Sequence, residues 1–253
     1  MAKIYTIASG KGGTGKTTTA VNLGAALNKF KEDVIIVDAN LTTPNLGLHF
    51  GAPIVPVSLN HVLQGKAEIE EAIYEHESGT KIVPSSLSLK DLRKININLM
   101  KDTAKKLKKL SDYIIFDSAA GLGEEARIAL QNADEIIVVA NPNILSVTDA
   151  LKTIKLAEEM DKHVRGVIIT RVKNNKNEMP LENIKEMLEV PILGIVPEDP
   201  AVEESLVKKN SVLHTRPRSK ASRAYMDVAA KLLGKQKMPE SFFNRILASL
   251  GLR

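Results

Sequence analysis

"KIYTIASGKGGTGKTTTAVNLGAALNK" (3–29) decides how the chain is read. An apolar run, "IYTIA" (4–8), leads into a glycine-rich turn, and a helical pattern opens at Thr17. The turn "GKGGTGKT" (10–17) fits G-x-x-x-x-G-K-[ST] in the strand-to-helix context that this pattern requires. Glycines let a backbone wrap a polyphosphate without Cβ clashes. Successive N–H groups and the helix N-terminus then face the anion. On this reading Gly10, Gly12, Gly13, Thr14 and Gly15 form the cradle. Lys16 reaches the β- and γ-phosphates, Thr17 ligates Mg²⁺, and Thr18 reaches the α-phosphate. One lysine suffices for such a loop, yet Lys11 supplies a second.

Working outward, strand-like runs recur at 33–38, 80–84, 112–117, 134–140, 165–170 and 191–197. Most are continuously apolar, as strands covered on both faces are. Helical patterns lie between them at 17–28, 98–110, 124–132, 146–160 and 181–188, with a further one at 219–233. The alternation predicts an α/β fold: a mainly parallel sheet with helices on both faces, and ligands at the carboxyl ends of the strands. Residues 207–220 read as a polar loop. The lysine run at 101–110 reads as one solvated helix face.

With 253 residues, 43% of them hydrophobic, the chain can bury one sizeable core. It has no cysteine, which excludes disulfides, thiolate-held iron–sulfur clusters and Cys-based zinc sites, and fits a reducing compartment. No apolar run nears the ~20 residues of a spanning helix. The net charge of +5 is uneven: residues 205–253 hold 11 Lys/Arg against 2 Asp/Glu, and the rest holds 24 against 28. A basic end suits an anionic partner, although a solvated charged face explains it equally. The five histidines are scattered without metal-ligand spacing and read as surface or packing residues.

Two aspartates, Asp38 and Asp117, each close an apolar strand. There they lie at the mouth of the sheet, beside phosphates and metal. Together with the loop these residues carry a resemblance. "KGGTGKTT" (11–18) resembles the deviant phosphate loop of the MinD/ParA ATPases. "ASGKGGTGKTT" (8–18), "DANLTTPNL" (38–46), "DSAAG" (117–121), "NPNILSVTD" (141–149), "TR" (170–171) and "VPEDP" (196–200) resemble the elements of its MinD branch, in order. The resemblance implies a P-loop NTPase of SIMIBI type over residues 1–234, binding and hydrolysing Mg-ATP. It also implies a cytoplasmic protein, peripheral on the inner face of the cell membrane, that positions division or other machinery and answers to a regulatory protein.

The roles that the resemblance implies fall on named positions. Lys11 crosses a homodimer interface to the phosphates of the other subunit, as an arginine finger does, so that pairing depends on ATP. Asp38 contacts Mg²⁺ through water and helps orient the attacking water, and Asp117 holds the metal's second shell. Asn45 and the segment from Asn141 line the nucleotide. Arg171, Pro197, Glu198 and Asp199 surround the adenine. Asp149 lies in a switch and interface segment. Two departures stand out. Asn40 replaces the usual second aspartate of D-x-D, and an amide has no charge and accepts no proton at neutral pH; ATP binding with slow hydrolysis is the expectation. Ala119 replaces a proline.

After a hinge near 234–239, "MPESFFNRILASLGLR" (238–253) places Phe243, Ile246, Leu247 and Leu250 on one helical stripe, with Phe242 beside them and Arg245 and Arg253 as cations. Residues 235–253 thus read as a hinge plus a short amphipathic segment suited to an anionic lipid surface; packing against the body or on a partner is the alternative, and the resemblance favours the membrane. Two rival functions remain at this stage. A ParA-like partition ATPase would bind DNA through the basic stretch 208–223, which has no aromatic residue for stacking. A nonhydrolytic, nucleotide-gated scaffold would account for Asn40.

Overall fold

A computed structural model describes residues 2–235. Phe242, Phe243, Ile246, Leu247 and Leu250 lie outside the described residues, as does nearly all of the expected tail segment. Eight strands form one sheet in the order β3-β4-β2-β5-β1-β6-β7-β8. They are β1 (Lys3–Ala8), β2 (Val34–Ala39), β3 (Tyr74–Glu75), β4 (Lys81–Val83), β5 (Tyr113–Ser118), β6 (Glu135–Ala140), β7 (Val164–Val172) and β8 (Ile192–Pro197). All pairings are parallel except β3 with β4. Every strand read from the sequence is present. Only β3, a two-residue edge pair, carried no pattern of its own.

The longer helices are α1 (Lys16–Lys29), α4 (Leu99–Leu107), α5 (Glu124–Gln131), α6 (Ile144–Glu159), α7 (Leu181–Leu188), α8 (Pro200–Val207) and α10 (Lys220–Leu232). The short α-helical pieces are α2 (Leu46–His49), α3 (Leu59–Leu63) and α9 (Val212–Thr215), and two 3₁₀ turns lie at Ile69–Ala72 and Leu89–Leu92. α8 and α9, with the short α2 and α3, are the additions to the sequence reading. α8 starts on a clear signal, Asp199 as N-cap with Pro200 at the first position. α9 falls within the stretch expected to be a polar loop, because Val212 and Leu213 are buried against α1.

Alternation along each strand divides the core. Tyr5, Ile7, Val34, Ile36, Ile115 and Ile137 face α1, α9 and α10. Ile4, Ile35, Val37, Ile114 and Phe116 face α3 and α4, while Ile136 and Val138 face α6 and α7. Both faces are therefore covered, which is why these strands read as unbroken apolar runs. β1 lies between β5 and β6. The loops after β1, β2 and β5 therefore open side by side at one end of the sheet, the position where an α/β sheet holds ligands.

Candidate functional site

The phosphate loop connects β1 to α1. Gly13 and Gly15 have φ of +77° and +91°, the left-handed region that an L side chain rarely adopts. Gly10 is required for a different reason: a Cβ there would lie 2.3 Å from the Asp149 carbonyl oxygen of α6. Behind the loop, Thr170 Oγ1 donates to Thr14 O at 2.6 Å, and Asn141 Nδ2 donates to Thr170 Oγ1 at 2.9 Å. Asn141 thus braces the loop from behind and lines neither cavity at the loop. Lys16 is buried, its ammonium 3.9 Å from Asp117 Oδ1. Lys11 differs. Its side chain is half-exposed, and its ammonium makes no ion pair or hydrogen bond among the described residues.

Asp38 and Asp117 are register partners on β2 and β5, and both are buried. Asp38 accepts from the backbone N–H groups of Asn40, Asn45 and Leu46 at 3.2, 3.0 and 2.9 Å. Burial and the neighbouring Asp117 nevertheless push its pKa up to about 8. Burial also raises Asp117, opposed by the Lys16 ammonium and the nearby Thr17 hydroxyl. Neither carboxylate oxygen of Asp117 has a hydrogen-bond partner. Two adjacent buried carboxylates, one of them with a single lysine at ion-pair distance and no hydrogen bond, leave room for a further cation. Among the described residues no three His, Cys, Asp or Glu side chains converge on a metal position. A hard cation here would therefore complete its shell with hydroxyl, phosphate and water oxygens, which suits Mg²⁺.

A cavity of about 280 Å³ opens at the loop, lined by Gly12, Gly13, Gly15, Lys16, Thr17, Thr18, Asn40, Asn45 and Arg171 from the sequence reading. Thr43, His49 and Ala120 complete the wall and were not anticipated. His49 had no metal-like spacing to mark it; its position one helical turn after Asn45 is the only local hint. A second cavity, about 160 Å³, continues from Gly15 and Thr18 past Arg171 to Pro197, Glu198 and Asp199, with Tyr225 of α10 as a further wall. Arg171 borders both. Within β7 it has φ +57°, at a register shift between β7 and β8, and it is exposed.

The structure assigns two of the expected site residues additional structural work. Asp199 lines the second cavity, but its carboxylate accepts from Ala201 N and Ala221 N, both at 3.0 Å. Its side chain caps α8 and ties it to α10. Asn40 also turns to its own loop: Nδ2 donates to Thr43 O at 2.5 Å, and Oδ1 accepts from Thr43 Oγ1 at 3.1 Å.

A braced glycine loop, a buried Lys–Asp pair and a second cavity leading away from the loop together form a nucleotide site. The model of the CobQ/CobB/MinD/ParA nucleotide-binding domain matches residues 5–212. The chain belongs to this family. It is 40% identical over 256 residues to an uncharacterized ATP-binding protein of Methanocaldococcus jannaschii, covering 99% of this chain and 97% of that one. Among solved structures, it is similar to the septum site-determining protein MinD of Pyrococcus horikoshii complexed with Mg-ADP. That match has a TM-score of 0.88 and 33% identity, covering 94% of this chain and 99% of the other. The MinD of the MinC:MinD cell division complex of Aquifex aeolicus matches with a TM-score of 0.85 and 31% identity, covering 94% and 98%. The fold is thus that of a MinD-type P-loop NTPase, and the family membership read from the motifs stands.

Proposed function

We propose that this member of the MinD/ParA family is an ATP-dependent switch that pairs with a second copy of itself and settles on anionic membrane to position cellular machinery. Lys11 carries the reading. It belongs to the phosphate loop, yet it does not line the phosphate cavity of its own chain, and its ammonium has no partner among the described residues. A cation held free beside a triphosphate site suits the phosphates of a second copy. There it neutralises charge on the transferring group and makes pairing depend on the γ-phosphate.

Within one copy, Lys16 and the loop N–H groups hold the β- and γ-phosphates, and the Gly15–Tyr225 cavity takes the base. Thr17, Asp38 and Asp117 hold Mg²⁺, the aspartates through water, and the ion neutralises charge on the phosphate oxygens. Asn40, bonded to Thr43, offers the attacking water no base, so hydrolysis is slow and the paired state long-lived. Residues 239–253 supply the lipid contact. Two such tails on one dimer bind where one alone is weak. The protein is then cytoplasmic and peripheral on the inner face of the membrane. The MinC partner of the Aquifex relative supports a regulatory protein here as well.

The DNA reading loses ground. In the basic stretch 208–223, Lys208 and Arg216 both pair with Glu204, which reduces the charge available to phosphates. No described helix is long and apolar enough to cross a membrane.

Light scattering of the full chain in ADP and in ATP, with and without anionic liposomes, tests this. The parent should double in mass and sediment with liposomes only in ATP. Lys11→Ala should stay monomeric while binding ATP, and a chain ending at Met238 should pair without sedimenting. A Lys11→Ala dimer as tight as the parent's sinks the shared-site reading, and liposome binding by the shortened chain sinks the anchor.

A further inference from the structure

Glu125 lies in the first turn of α5, just after the loop from β5. It does not line either nucleotide cavity. Its carboxylate reaches across to the loop after β2. Oε2 accepts from Leu41 N at 3.0 Å and from Thr42 N at 3.3 Å, and Oε1 accepts from the Thr42 hydroxyl. Two successive backbone N–H groups converging on one anion form a nest. Here the anion is a side chain of the neighbouring loop. Leu41 is buried and its N–H has no other partner among the described residues, so removal of Glu125 leaves a buried donor unsatisfied.

The two loops so joined carry different walls of the phosphate cavity. Asn40, Thr43 and Asn45 come from the first, and Ala120 from the second. The second is tied in turn to the phosphate loop by Gly121 N, which donates to Ser9 O at 3.0 Å, and at its base Ser118 Oγ of β5 donates to Ile7 O of β1 at 2.9 Å. The first is closed on itself by Asn40 and Thr43, and its far end hangs on Asp38. Between these fixed points, among the described residues, the Leu41–Thr42 segment has only Glu125 as its hydrogen-bonding anchor.

We propose that Glu125 is a positioning residue for hydrolysis, a clasp that makes the loops after β2 and β5 move as one body against the γ-phosphate. The inference rests on the ATPase reading above. A base-and-phosphate grip through Lys16 and the second cavity does not need the clasp; placement of the groups that face the attacking water does. Misplacement by about 1 Å can cost a reaction on the order of 10²-fold.

The test uses the full chain and three substitutions: Glu125→Ala, Glu125→Asp and Glu125→Gln. Mg-ADP affinity, ATP turnover and amide exchange at residues 41–43 are measured on each. Glu125→Ala should lower kcat about tenfold or more, leave ADP affinity within about twofold, and speed exchange at 41–43. Glu125→Asp, one methylene short, should resemble it. Glu125→Gln keeps one acceptor oxygen and replaces the other with an NH₂ donor, and should fall between. Unchanged exchange at 41–43 in Glu125→Ala overturns the clasp, and so does unchanged kcat with faster exchange. Equal losses in ADP affinity and kcat assign Glu125 to general stability instead. A parent chain that binds no ATP defeats the ATPase reading while the exchange arm still judges the contact.

Discussion

At residue 40 a one-atom change alters what a side chain can do. The amide of Asn40 donates to the Thr43 carbonyl and accepts from the Thr43 hydroxyl, which closes the turn on itself. A carboxylate keeps the acceptor role but sets a negative oxygen against that carbonyl. Asn40→Asp should therefore open the turn and free the carboxylate toward the phosphate cavity, which this side chain already lines. Turnover should rise several-fold with ADP affinity unchanged, measured by phosphate release under saturating ATP. Equal rates in parent and variant would remove any role for this position. The sequence marked Asn40 as unusual, but its spacing gave no sign that Thr43 holds it, because that bond depends on the path of the loop.

For α8 and α10 the decisive contact is a shared cap. Asp199 accepts from the N-terminal backbone of both helices, and the two elements wall the second cavity through Val202 and Tyr225. The loss of an N-cap costs about 0.5–2 kcal/mol, and this side chain serves two helix starts. Asp199→Ala should lower the urea midpoint by an amount equal to about 2 kcal/mol, and weaken adenine nucleotides and triphosphate alone to different degrees. A base-selective loss without loss of stability would instead make Asp199 a direct base contact. The sequence showed that Asp199 precedes a helix start. That the same carboxylate also meets Ala221, 22 residues on, was settled by packing.

Across the whole molecule, burial of titratable groups shapes the response to acid. Burial depresses His214 from its ordinary 6.5 to about 4, helped by Lys29 and His76; its ring contacts Lys29 and Ser211. Burial alone does the same to His49. The unfolded chain takes up these protons near pH 6.5 and the folded chain only near 4. Stability from these groups is thus complete above about pH 6.5 and declines as pH falls toward 4. Asp38 has the opposite sign: its raised pKa makes the nucleotide-free chain lose stability as pH climbs from ordinary carboxylate values toward 8. Comparing the parent with His214→Gln, pH by pH in urea, removes the Asp38 contribution. The parent's advantage should shrink between pH 6.5 and 4, and a constant difference would rule His214 out as a source of acid sensitivity.

What the sequence determined by itself was local in character. The glycine loop, the strand-to-helix junction near residue 16, and the aspartates next to the ends of β2 and β5 follow from residue type and period, because backbone sterics and two-sided burial act over a few neighbours. Tertiary structure decided the rest. It placed Asp38 opposite Asp117, brought His49, Ala120 and Tyr225 to the nucleotide cavities, put Arg171 at a register shift, and set Glu125 against residues 41 and 42. Each of these pairs residues from separate strands or loops. Only the order of strands in the sheet, and not any stretch of chain, fixes the distance between them.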